Sequence, residues 1–365
     1  IGTYNTGDID IDQFEVASSP DKRRWVILGF GTAGQRTREA LGTEVWMLRA
    51  DVDGGEARSS FILTSERWSP ADLTWKSVVL DDSGKVFAIY EDKDYGGTGL
   101  LGGHKQLNHF HWVKSGGDSL MRGDLVVEGD VLDAVAVLHT KTQALQVFGY
   151  YNAGKGVGMD GYFIGEFGDD GQIATSNHPF TESAAKQFMG LGSLKRNERP
   201  DNYYIRNVVA LSNGGWLMLS EQFYESRQME TYYVNGVPQT SSKLFYHYGD
   251  IAMQYLQKDG TLDSLIMVRK TQVGAVNVAH LFGFGMYVCG SSINLLYNDD
   301  EGEINRIMHV KIDKSFKVER DWLFRNENTP GTIVPYEGKQ TDYGLITLPI
   351  YRDKQWFWLQ VFSND

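Results

Sequence analysis

The segment from Ile205 to Gln272 decides the fold. It begins I-R-N-V-V-A-L-S-N-G-G-W-L-M-L-S-E-Q-F-Y and, after a polar and aromatic excursion, it ends L-F-Y-H-Y-G-D-I-A-M-Q-Y-L-Q-K-D-G-T-L-D-S-L-I-M-V-R-K-T-Q. Asn213 to Gly215 join two strand patterns and Asp259-Gly260 join two more, because these residue types supply the positive φ angles that tight hairpins require. The segment therefore predicts a four-stranded antiparallel meander, which is one blade of a β-propeller.

The same pattern recurs along the whole chain. The segments predicted to be second strands are R-W-V-I-L-G-F from Arg24, K-V-F-A-I-Y-E from Lys85, A-L-Q-V-F-G-Y from Ala144, G-W-L-M-L-S-E from Gly215, G-M-Y-V-C-G-S from Gly285 and G-L-I-T-L-P-I from Gly344. Their spacing of roughly 60 to 70 residues indicates a repeat of sheet units. We predict an all-β fold, a single β-propeller domain over residues 1–365 with six four-stranded antiparallel blades. Five or seven blades are the alternatives.

A second repeat supports this fold. Alternating strands that begin at Glu44, Gly161, Asp250 and Arg306 each run into an Asp-rich turn, which contains Asp-Gly in the first three and Asp-Lys-Ser in the fourth. The last unit is short of strands. We therefore expect Ile1 to Asp8 to supply its missing outer strand and close the propeller, which would remove the free sheet edges.

Three insertions interrupt the pattern, at residues 95–103, 181–197 and 225–243. The first is a glycine loop. The second contains a predicted helix that is capped at Thr181 or Ser183 and ends at Gly190 or Gly192. The third holds Y-Y-V-N-G-V-P and predicts a protruding hairpin. Because loops carry function more often than strands, we expect a partner to contact these insertions.

Composition restricts the classes of partner. The net charge of −12 disfavours nucleic acid and anionic membrane surfaces, which both require a basic footprint. No apolar run approaches the roughly 20 residues of a membrane-spanning helix. The single Cys289 excludes a disulfide framework and a cysteine metal site. Because the sequence starts at Ile1 rather than at Met, we expect a leading segment, typically a signal peptide, to precede it.

Two groups of residues have the spacing of metal ligands. Asp8, Asp10 and Asp12 alternate on one strand face and imitate the start of a calcium loop, although the glycine and the terminal glutamate of such a loop are missing. His109 and His111 also share a face, with His104 a few residues earlier, which is a pattern that zinc can use. We predict no cofactor, with a weak structural calcium ion at the three aspartates as the alternative.

Three glutamates follow strand patterns at comparable places. Two of the residues Glu91, Glu166 and Glu221 could form the carboxylate pair of a glycoside hydrolase, because propellers bring such residues together from different blades. The alternative for each is an ordinary hydrogen-bonded residue. Neither the sialidase-type box Ser-x-Asp-x-Gly-x-x-Trp nor a Gly-x-Ser-x-Gly elbow occurs. We therefore predict no catalytic residue as the first hypothesis.

The central blade resembles a known group of proteins. G-G-W-L-M-L-S-E-Q-F-Y, Y-Y-V-N-G-V-P, F-Y-H-Y-G-D-I and S-S-I-N-L-L-Y-N-D-D are similar to segments of uncharacterised exported β-propeller-like proteins of bacteria with an outer membrane, over roughly residues 202–300. The resemblance implies export to the periplasm or cell surface and association with envelope complexes, with a lipid anchor ahead of Ile1 as one option. It implies no catalytic residues. The sequence departs from that pattern at Gly249, where the family pattern has asparagine.

Two functional hypotheses result. In the first, the protein is a non-enzymatic accessory subunit of a cell-envelope complex, and the aromatic side chains of Tyr232, Tyr233, Phe245 and Tyr246 bind a protein partner, because interface hot spots favour aromatic residues. In the second, it is a carbohydrate-binding or glycoside-cleaving propeller that uses the three glutamates. A third interpretation is that the tyrosine-rich excursion only packs on its own blade.

Overall fold

The computed structural model of the chain describes residues 9–33, 44–52, 56–62, 73–94, 107–116, 119–139, 142–154, 158–168, 173–193, 195, 198–235, 237–299, 306–324, 331–352 and 354–362. Strands dominate these residues, and their one α-helix is α1 (Glu182–Met189). The strands pair in an antiparallel manner. The predicted all-β class with antiparallel sheets is therefore confirmed. Within the same residues, no helix combines the length and apolar character needed to cross a membrane.

The described strands form six sheets, and in each of the first five the first four strands are neighbours in chain order. The first three sheets consist of β1 (Ile9–Ser18), β2 (Arg24–Ala33), β3 (Glu44–Asp51) and β4 (Glu56–Ile62); of β5 (Leu73–Leu80), β6 (Val86–Asp94), β7 (Leu107–Gly116) and β8 (Ser119–Asp124); and of β9 (Asp130–Leu138), β10 (Leu145–Asn152), β11 (Gly161–Phe167) and β12 (Ile173–Pro179).

The fourth sheet contains β13 (Tyr203–Ala210), β14 (Trp216–Val234), β15 (Val237–Leu256) and β16 (Leu262–Val268), with β17 (Gln272–Ala275) beside β15. The fifth contains β18 (Gly285–Cys289), β19 (Ser292–Asp299), β20 (Arg306–Ile312) and β21 (Val318–Trp322). The sixth contains β22 (Thr332–Ile333), β23 (Lys339–Asp342), β24 (Leu345–Arg352) and β25 (Gln355–Phe362). In the sixth sheet β24 is central, because β22 and β23 pair with one of its edges and β25 with the other.

The strand order confirms part of the repeat and corrects another part. The alternating segments at Glu44, Gly161, Asp250 and Arg306 are strands, as predicted, and each belongs to the third strand of its sheet. The segment from Gly285 was predicted to be a second strand but is the first strand of its sheet. The reason is a tight turn at Gly290, after which β19 provides the second strand. The strand β19 was not predicted because the polar residues Asn294 and Asn298 interrupt its pattern of apolar residues.

The chain groups into two compact units. Unit 1 comprises residues 1–201, 208–217 and 256–262, and unit 2 comprises residues 202–207, 218–255 and 263–365. In unit 1, β1 packs against β5 and β5 against β9. An apolar core lies between the first and second sheets, where the rings of Phe30 and Trp75 stack with centroids 4.0 Å apart. In unit 2, the equivalent core joins the fifth and sixth sheets around Tyr287 and Leu348.

The insertions take two different structural forms. In the second, α1 follows an N-cap at Thr181, whose hydroxyl accepts a hydrogen bond from the Ala184 amide, and it ends at Gly190 in the left-handed conformation. These are two of the predicted caps. The third insertion forms the end of a long hairpin, because β14 and β15 are neighbours in the sheet and both continue through it as long strands. We call residues 224–247 of these two strands the arm.

Some predictions lie outside the described residues. These are the closing strand at Ile1 to Asp8 and the glycine loop at residues 95–103. The count of six blades, their closure around an axis and the single domain remain predictions.

Candidate functional site

The centre of the candidate site is a buried ion pair in unit 2. Glu221 on β14 is 0% exposed, and its Oε1 lies 2.7 Å from the Nζ of Lys270, whose side chain is 1% exposed. Lys270 lies two residues after the end of β16, so the end of that strand places it. A buried charge of this kind requires a partner, because desolvation of an isolated ion costs several kcal/mol. The two side chains therefore hold each other in place.

Two further groups complete the coordination of the Glu221 carboxylate. Its Oε2 lies 3.3 Å from Nε of Arg206 on β13 and accepts a hydrogen bond of 2.6 Å from the hydroxyl of Tyr336. Tyr336 lies in a short 3-10 turn between β22 and β23. Its ring lies against the backbone of Gly283, which has a φ of 83°, and an added Cβ there would be 2.3 Å from the ring. Only glycine fits at that position.

Aromatic rings surround the guanidinium of Arg206. Its Cζ lies 5.9 Å from the ring centroid of Tyr204 and 5.2 Å from that of Tyr336, which is within reach of a cation–π interaction. The ring of Phe223 packs beside Tyr204, Tyr246 and Tyr248 at centroid distances of 6.0, 5.7 and 4.9 Å. All these side chains are half-buried. We name the group the Arg206 site: Tyr204, Arg206, Phe223, Tyr246, Tyr248 and Tyr336.

A series of hydrogen bonds between buried side chains and backbone atoms connects Lys270 to neighbouring strands. Lys270 Nζ donates to Gln272 Oε1 at 2.7 Å, and Gln272 Nε2 donates to the carbonyl of Asn298 at 2.6 Å. The amide of Asn298 donates to the carbonyl of Ile333 at 2.7 Å, and the amide of Ile333 donates to Asn298 Oδ1 at 3.1 Å. These bonds tie β17, β19 and β22 together. They fix the ammonium group of Lys270 beside Glu221.

The electrostatics of the site keep Tyr336 neutral. Burial raises the pKa of the Tyr336 phenol, and the Glu221 carboxylate raises it further, so the hydroxyl remains a hydrogen-bond donor. Burial lowers the pKa of Lys270, and the salt bridge to Glu221 opposes this shift. Wherever the proton lies in the Glu221 and Lys270 pair, the pair as a whole is neutral. Arg206 therefore adds one positive charge to the group.

A related cluster lies in unit 1. Lys76 on β5 places its Nζ 2.7 Å from Asp133 Oδ1 and 3.8 Å from Glu91 Oε2. Lys76 is the fourth residue of a first strand and Glu91 the sixth of a second strand, which are the positions that Arg206 and Glu221 occupy in β13 and β14. Lys76 is also the extra residue of a β-bulge, a device that redirects a side chain. The two sheets thus place a basic residue and a glutamate at the same strand positions.

The three predicted glutamates occupy different environments. Glu91 and Glu221 are buried, while Glu166 on β11 is exposed and accepts a hydrogen bond from Gln146 at 3.2 Å. The expected likeness of position therefore applies to Glu91 and Glu221, whereas Glu166 lies on a third strand. Glycoside hydrolysis by two carboxyl groups requires both at one accessible site.

The predicted partner-binding residues all lie on the arm. Tyr232 and Tyr233 are near its tip and are 46% and 72% exposed. Phe245 and Tyr246 are half-buried at its base, where β17 pairs with them, and Tyr246 belongs to the Arg206 site. Side chains at the tip are therefore exposed and those at the base are packed, and the partner-binding role of the four residues stays a prediction.

The metal candidates have no assembled site among the residues that the structure describes. Asp8 and His104 lie outside those residues, and for Asp10 and Asp12 only the backbone of β1 is described. His111 Nδ1 is 2.8 Å from Asp124 Oδ1, and burial lowers the pKa of His111, while His109 is exposed. The calcium and zinc ligands remain untested predictions.

Sequence reasoning missed most of this site. Arg206, Lys270 and Tyr336 were not singled out, and neither were Lys76 and Asp133. One signal was present for the first two: each is a basic residue beside apolar strand residues, in Y-Y-I-R-N-V-V and L-I-M-V-R-K. Nothing in the sequence around Tyr336 indicates that its hydroxyl reaches Glu221.

Comparisons with known proteins give structural similarities only. No protein-family model matches the sequence, and no curated protein matches it significantly. A protein of unknown function from Dyadobacter fermentans is 9% identical, with a TM-score of 0.42 over 95% of this chain and 92% of that one. A B. megaterium levansucrase variant is 11% identical, with a TM-score of 0.33 over 88% and 87%. A family 117 glycoside hydrolase of Zobellia galactanivorans is 8% identical, with a TM-score of 0.35 over 79% and 83%. Similarity at this level leaves the function of the chain open.

Proposed function

We propose that this protein binds carbohydrate at the Arg206 site. The observation that supports this function is a group of five half-buried aromatic rings, two of which flank one partly exposed guanidinium. Binding sites for small molecules are typically lined by aromatic side chains with a few fixed polar groups. The C–H faces of a sugar ring stack on such aromatic surfaces, and its hydroxyl groups pair with a planar charged donor. Arg206 is oriented for this purpose by Glu221.

The proposal is binding and not cleavage. A general acid must contact the glycosidic oxygen, and the second carboxyl group must lie within about 5 to 10 Å of it. Glu221 is 0% exposed, forms an ion pair with Lys270 and accepts hydrogen bonds from Arg206 and Tyr336. Glu91 is 6% exposed, and its Oε2 lies 3.8 Å from the ammonium group of Lys76. These environments favour a structural role for both carboxylates.

The remaining parts of the sequence prediction are kept as part of this proposal. The sheets would be blades of a six-bladed propeller, and the protein would be exported to the periplasm or cell surface. The sheet meanders and the packing of β1, β5 and β9 in unit 1 support the first of these. The resemblance of residues 202–300 is the support for export.

A glycan array followed by titration calorimetry tests the proposed function. Tyr204→Ala and Tyr246→Ala remove rings of the site without removing a charge, and Tyr343→Ala, at a position that is 70% exposed, is the matched control. We expect each of the two site variants to weaken glycan binding about 5- to 150-fold, if a sugar ring gains from an aromatic ring what a nucleic-acid base does, about 1 to 3 kcal/mol. The control should bind like the parent. If no glycan binds, or if the site variants bind normally, the proposal is wrong.

A second candidate function is a protein interaction through the arm tip. The specific observation is the exposure of Met229, Tyr233 and Val237, at 67%, 72% and 59%. Exposed aromatic and methionine side chains are enriched at interfaces. A pull-down from native membranes tests this function. It compares the parent protein with a variant in which Tyr232 and Tyr233 are both changed to Ser. A stoichiometric partner that is lost in the variant supports this function, and a protein that elutes alone contradicts it.

A further inference from the structure

We propose that Ser226 and His247 form a nucleophile and base pair that hydrolyses carboxylic esters with an apolar acyl group. The Oγ of Ser226 and the Nε2 of His247 are 2.7 Å apart. A serine hydroxyl becomes a nucleophile when an adjacent imidazole at this distance accepts its proton. This second site is independent of carbohydrate binding at the Arg206 site.

The pair lies on the opposite face of its strands from the Arg206 site. Phe223 on β14 and Tyr246 on β15 belong to the Arg206 site, where their rings stack with centroids 5.7 Å apart. Successive side chains of a strand point to opposite faces. Ser226 is three residues after Phe223, and His247 follows Tyr246 directly, so both point to the other face.

Three strands hold the pair in place. Ser226 lies on β14 and His247 on the neighbouring β15, and β17 pairs with β15 so that Val273 is opposite His247. The ring of Tyr224 stacks on the imidazole, with centroids 4.4 Å apart and planes at 7°. This stacking fixes the imidazole, which is a task that a third residue performs in catalytic triads. The pair therefore lies on the three-stranded base of the arm and not on its exposed tip.

The hydroxyl proton of Ser226 is directed at the imidazole. Within the described part of the chain, His247 is the hydrogen-bond partner of this hydroxyl, and its Nε2 accepts when Nδ1 carries the ring proton. Ser176 and His178 on β12 form a contrasting pair. Their contact is longer, at 3.2 Å, and Ser176 Oγ donates to the carbonyl of Ile164. Ser176 is therefore the matched control.

The surroundings of the pair favour an apolar acyl group. Tyr224 and Val273 lie on the strands on either side of His247 and are 42% and 49% exposed. An acyl chain that covers these side chains removes apolar surface from water. The side chains of Ser226 and His247 are half-buried, so an ester can reach them from solvent.

The reaction consumes only an ester and water. Ser226 Oγ attacks the carbonyl carbon while its proton moves to His247 Nε2. The bond from the carbonyl carbon to the alkoxy oxygen then breaks, and the leaving alcohol takes this proton. His247 next accepts a proton from a water molecule, which attacks the acyl-serine. The acid is released, and the proton returns to Ser226.

Labelling with an alkyl fluorophosphonate tests the nucleophile. The serine oxygen displaces fluoride from phosphorus, and peptide mapping by mass spectrometry locates the adduct. We expect the label on Ser226 and not on Ser176. His247→Gln should slow labelling at least about 100-fold, since a positioned base contributes a factor of about 10² to 10⁴. Ser176→Ala should be labelled at the parent rate.

Hydrolysis of p-nitrophenyl esters tests the substrate class. We expect kcat/KM for the hexanoate to exceed that for the acetate at least about tenfold, because each methylene group removed from water favours binding by a factor of about four. Val273→Ser should reduce this preference. Ser226→Ala should abolish turnover, and Ser176→Ala should leave both the rate and the preference unchanged.

Equal labelling of the parent protein and Ser226→Ala, or no adduct on Ser226, would overturn the proposal. Ser226→Ala removes a single oxygen atom, so this comparison decides the matter even if His247→Gln does not fold. Equal kcat/KM values for the acetate and the hexanoate would overturn the assigned ester class. The proposed function stands or falls separately, because its readout is glycan binding.

Discussion

At the scale of single residues, Lys270 is the side chain whose loss should matter most for stability. Lys270→Met leaves Glu221 buried with one cation fewer, and breaking a buried ion pair in this way costs about 3 to 5 kcal/mol. Urea unfolding at neutral pH measures this change. The matched control is Lys243→Met, which breaks the exposed pair with Glu230 and should cost less than about 1 kcal/mol.

The double variant of the same pair tests the mechanism. Lys270→Met combined with Glu221→Gln removes both charges. The double variant should therefore lose less stability than the sum of the losses measured for the two single variants. Equal losses for Lys270→Met and Lys243→Met would show that the buried pair has no special role.

At the scale of elements, two hairpin turns of the fourth sheet provide a matched pair. Gly214 and Gly260 both have a φ of 84°, and each follows an Asn or Asp whose side chain accepts from the backbone of the next residues. An added Cβ at Gly214 meets only Lys258 at 3.6 Å, whereas at Gly260 it would lie 2.8 Å from Ile164 Cδ1. Steric contact is therefore the main difference between the two positions.

We expect Gly214→Ala to cost about 1 to 2 kcal/mol, which is the strain of a left-handed backbone alone. Gly260→Ala should cost about 1 to 3 kcal/mol more, because the methyl group also displaces the neighbouring β11 and β12 side chains. Denaturant unfolding of the two variants gives the comparison. A smaller loss for Gly260→Ala would contradict the observed packing of this turn.

The arm should be dispensable for folding. Residues at its tip are exposed, and its paired side chains, such as Glu230 with Lys243, lie in water. Replacing the segment between Gln228 and Ser242 with an Asn-Gly turn should change the free energy of unfolding by less than about 1 kcal/mol. Phe223 and the base of the arm, which contains Tyr246, remain. A loss of several kcal/mol would mean that the tip packs on the body of the protein.

At the scale of the whole molecule, buried tyrosines should make the protein sensitive to alkali. Burial raises the pKa of Tyr255 and Tyr297 to about 12, and it also raises the pKa of Tyr90, Tyr162 and Tyr336. Unfolded tyrosines ionise near pH 10.0, so above this pH the folded state binds more protons than the unfolded state. Stability must therefore fall as the pH rises.

Each of these tyrosines should lower the free energy of unfolding by about 1.4 kcal/mol per pH unit between its unfolded and folded pKa. The lowered pKa of Lys270 has the opposite sign, since the unfolded lysine keeps its proton longer and stability from this group rises with pH up to 10.5. Urea midpoints at about pH 8 and about pH 11, together with tyrosinate absorbance, measure the balance. A midpoint that stays constant would show that the buried hydroxyls have no raised pKa.

The elements that sequence reasoning found are those that local chemistry specifies. Asp259-Gly260 ends the third strand of its sheet because its backbone needs a positive φ, and Thr181 starts α1 because its hydroxyl caps a free amide. The strand from Ser292 was missed because its buried polar residues resemble a loop in sequence. There, hydrogen bonds from Asn298 to backbone atoms of Leu281 and Ile333 replace apolar packing.

The sequence by itself determined the all-β class, the turn positions and the strands that follow one another as hairpins, because alternation and turn residues act over a few positions. Only the tertiary structure decided what Glu221 meets, since Tyr336 lies 115 residues away along the chain and its turn is placed by another sheet. Alternation shows which side chains point inward, but it cannot show their partners. A buried charge takes its role from those partners, and therefore the site became visible only when the sheets were packed.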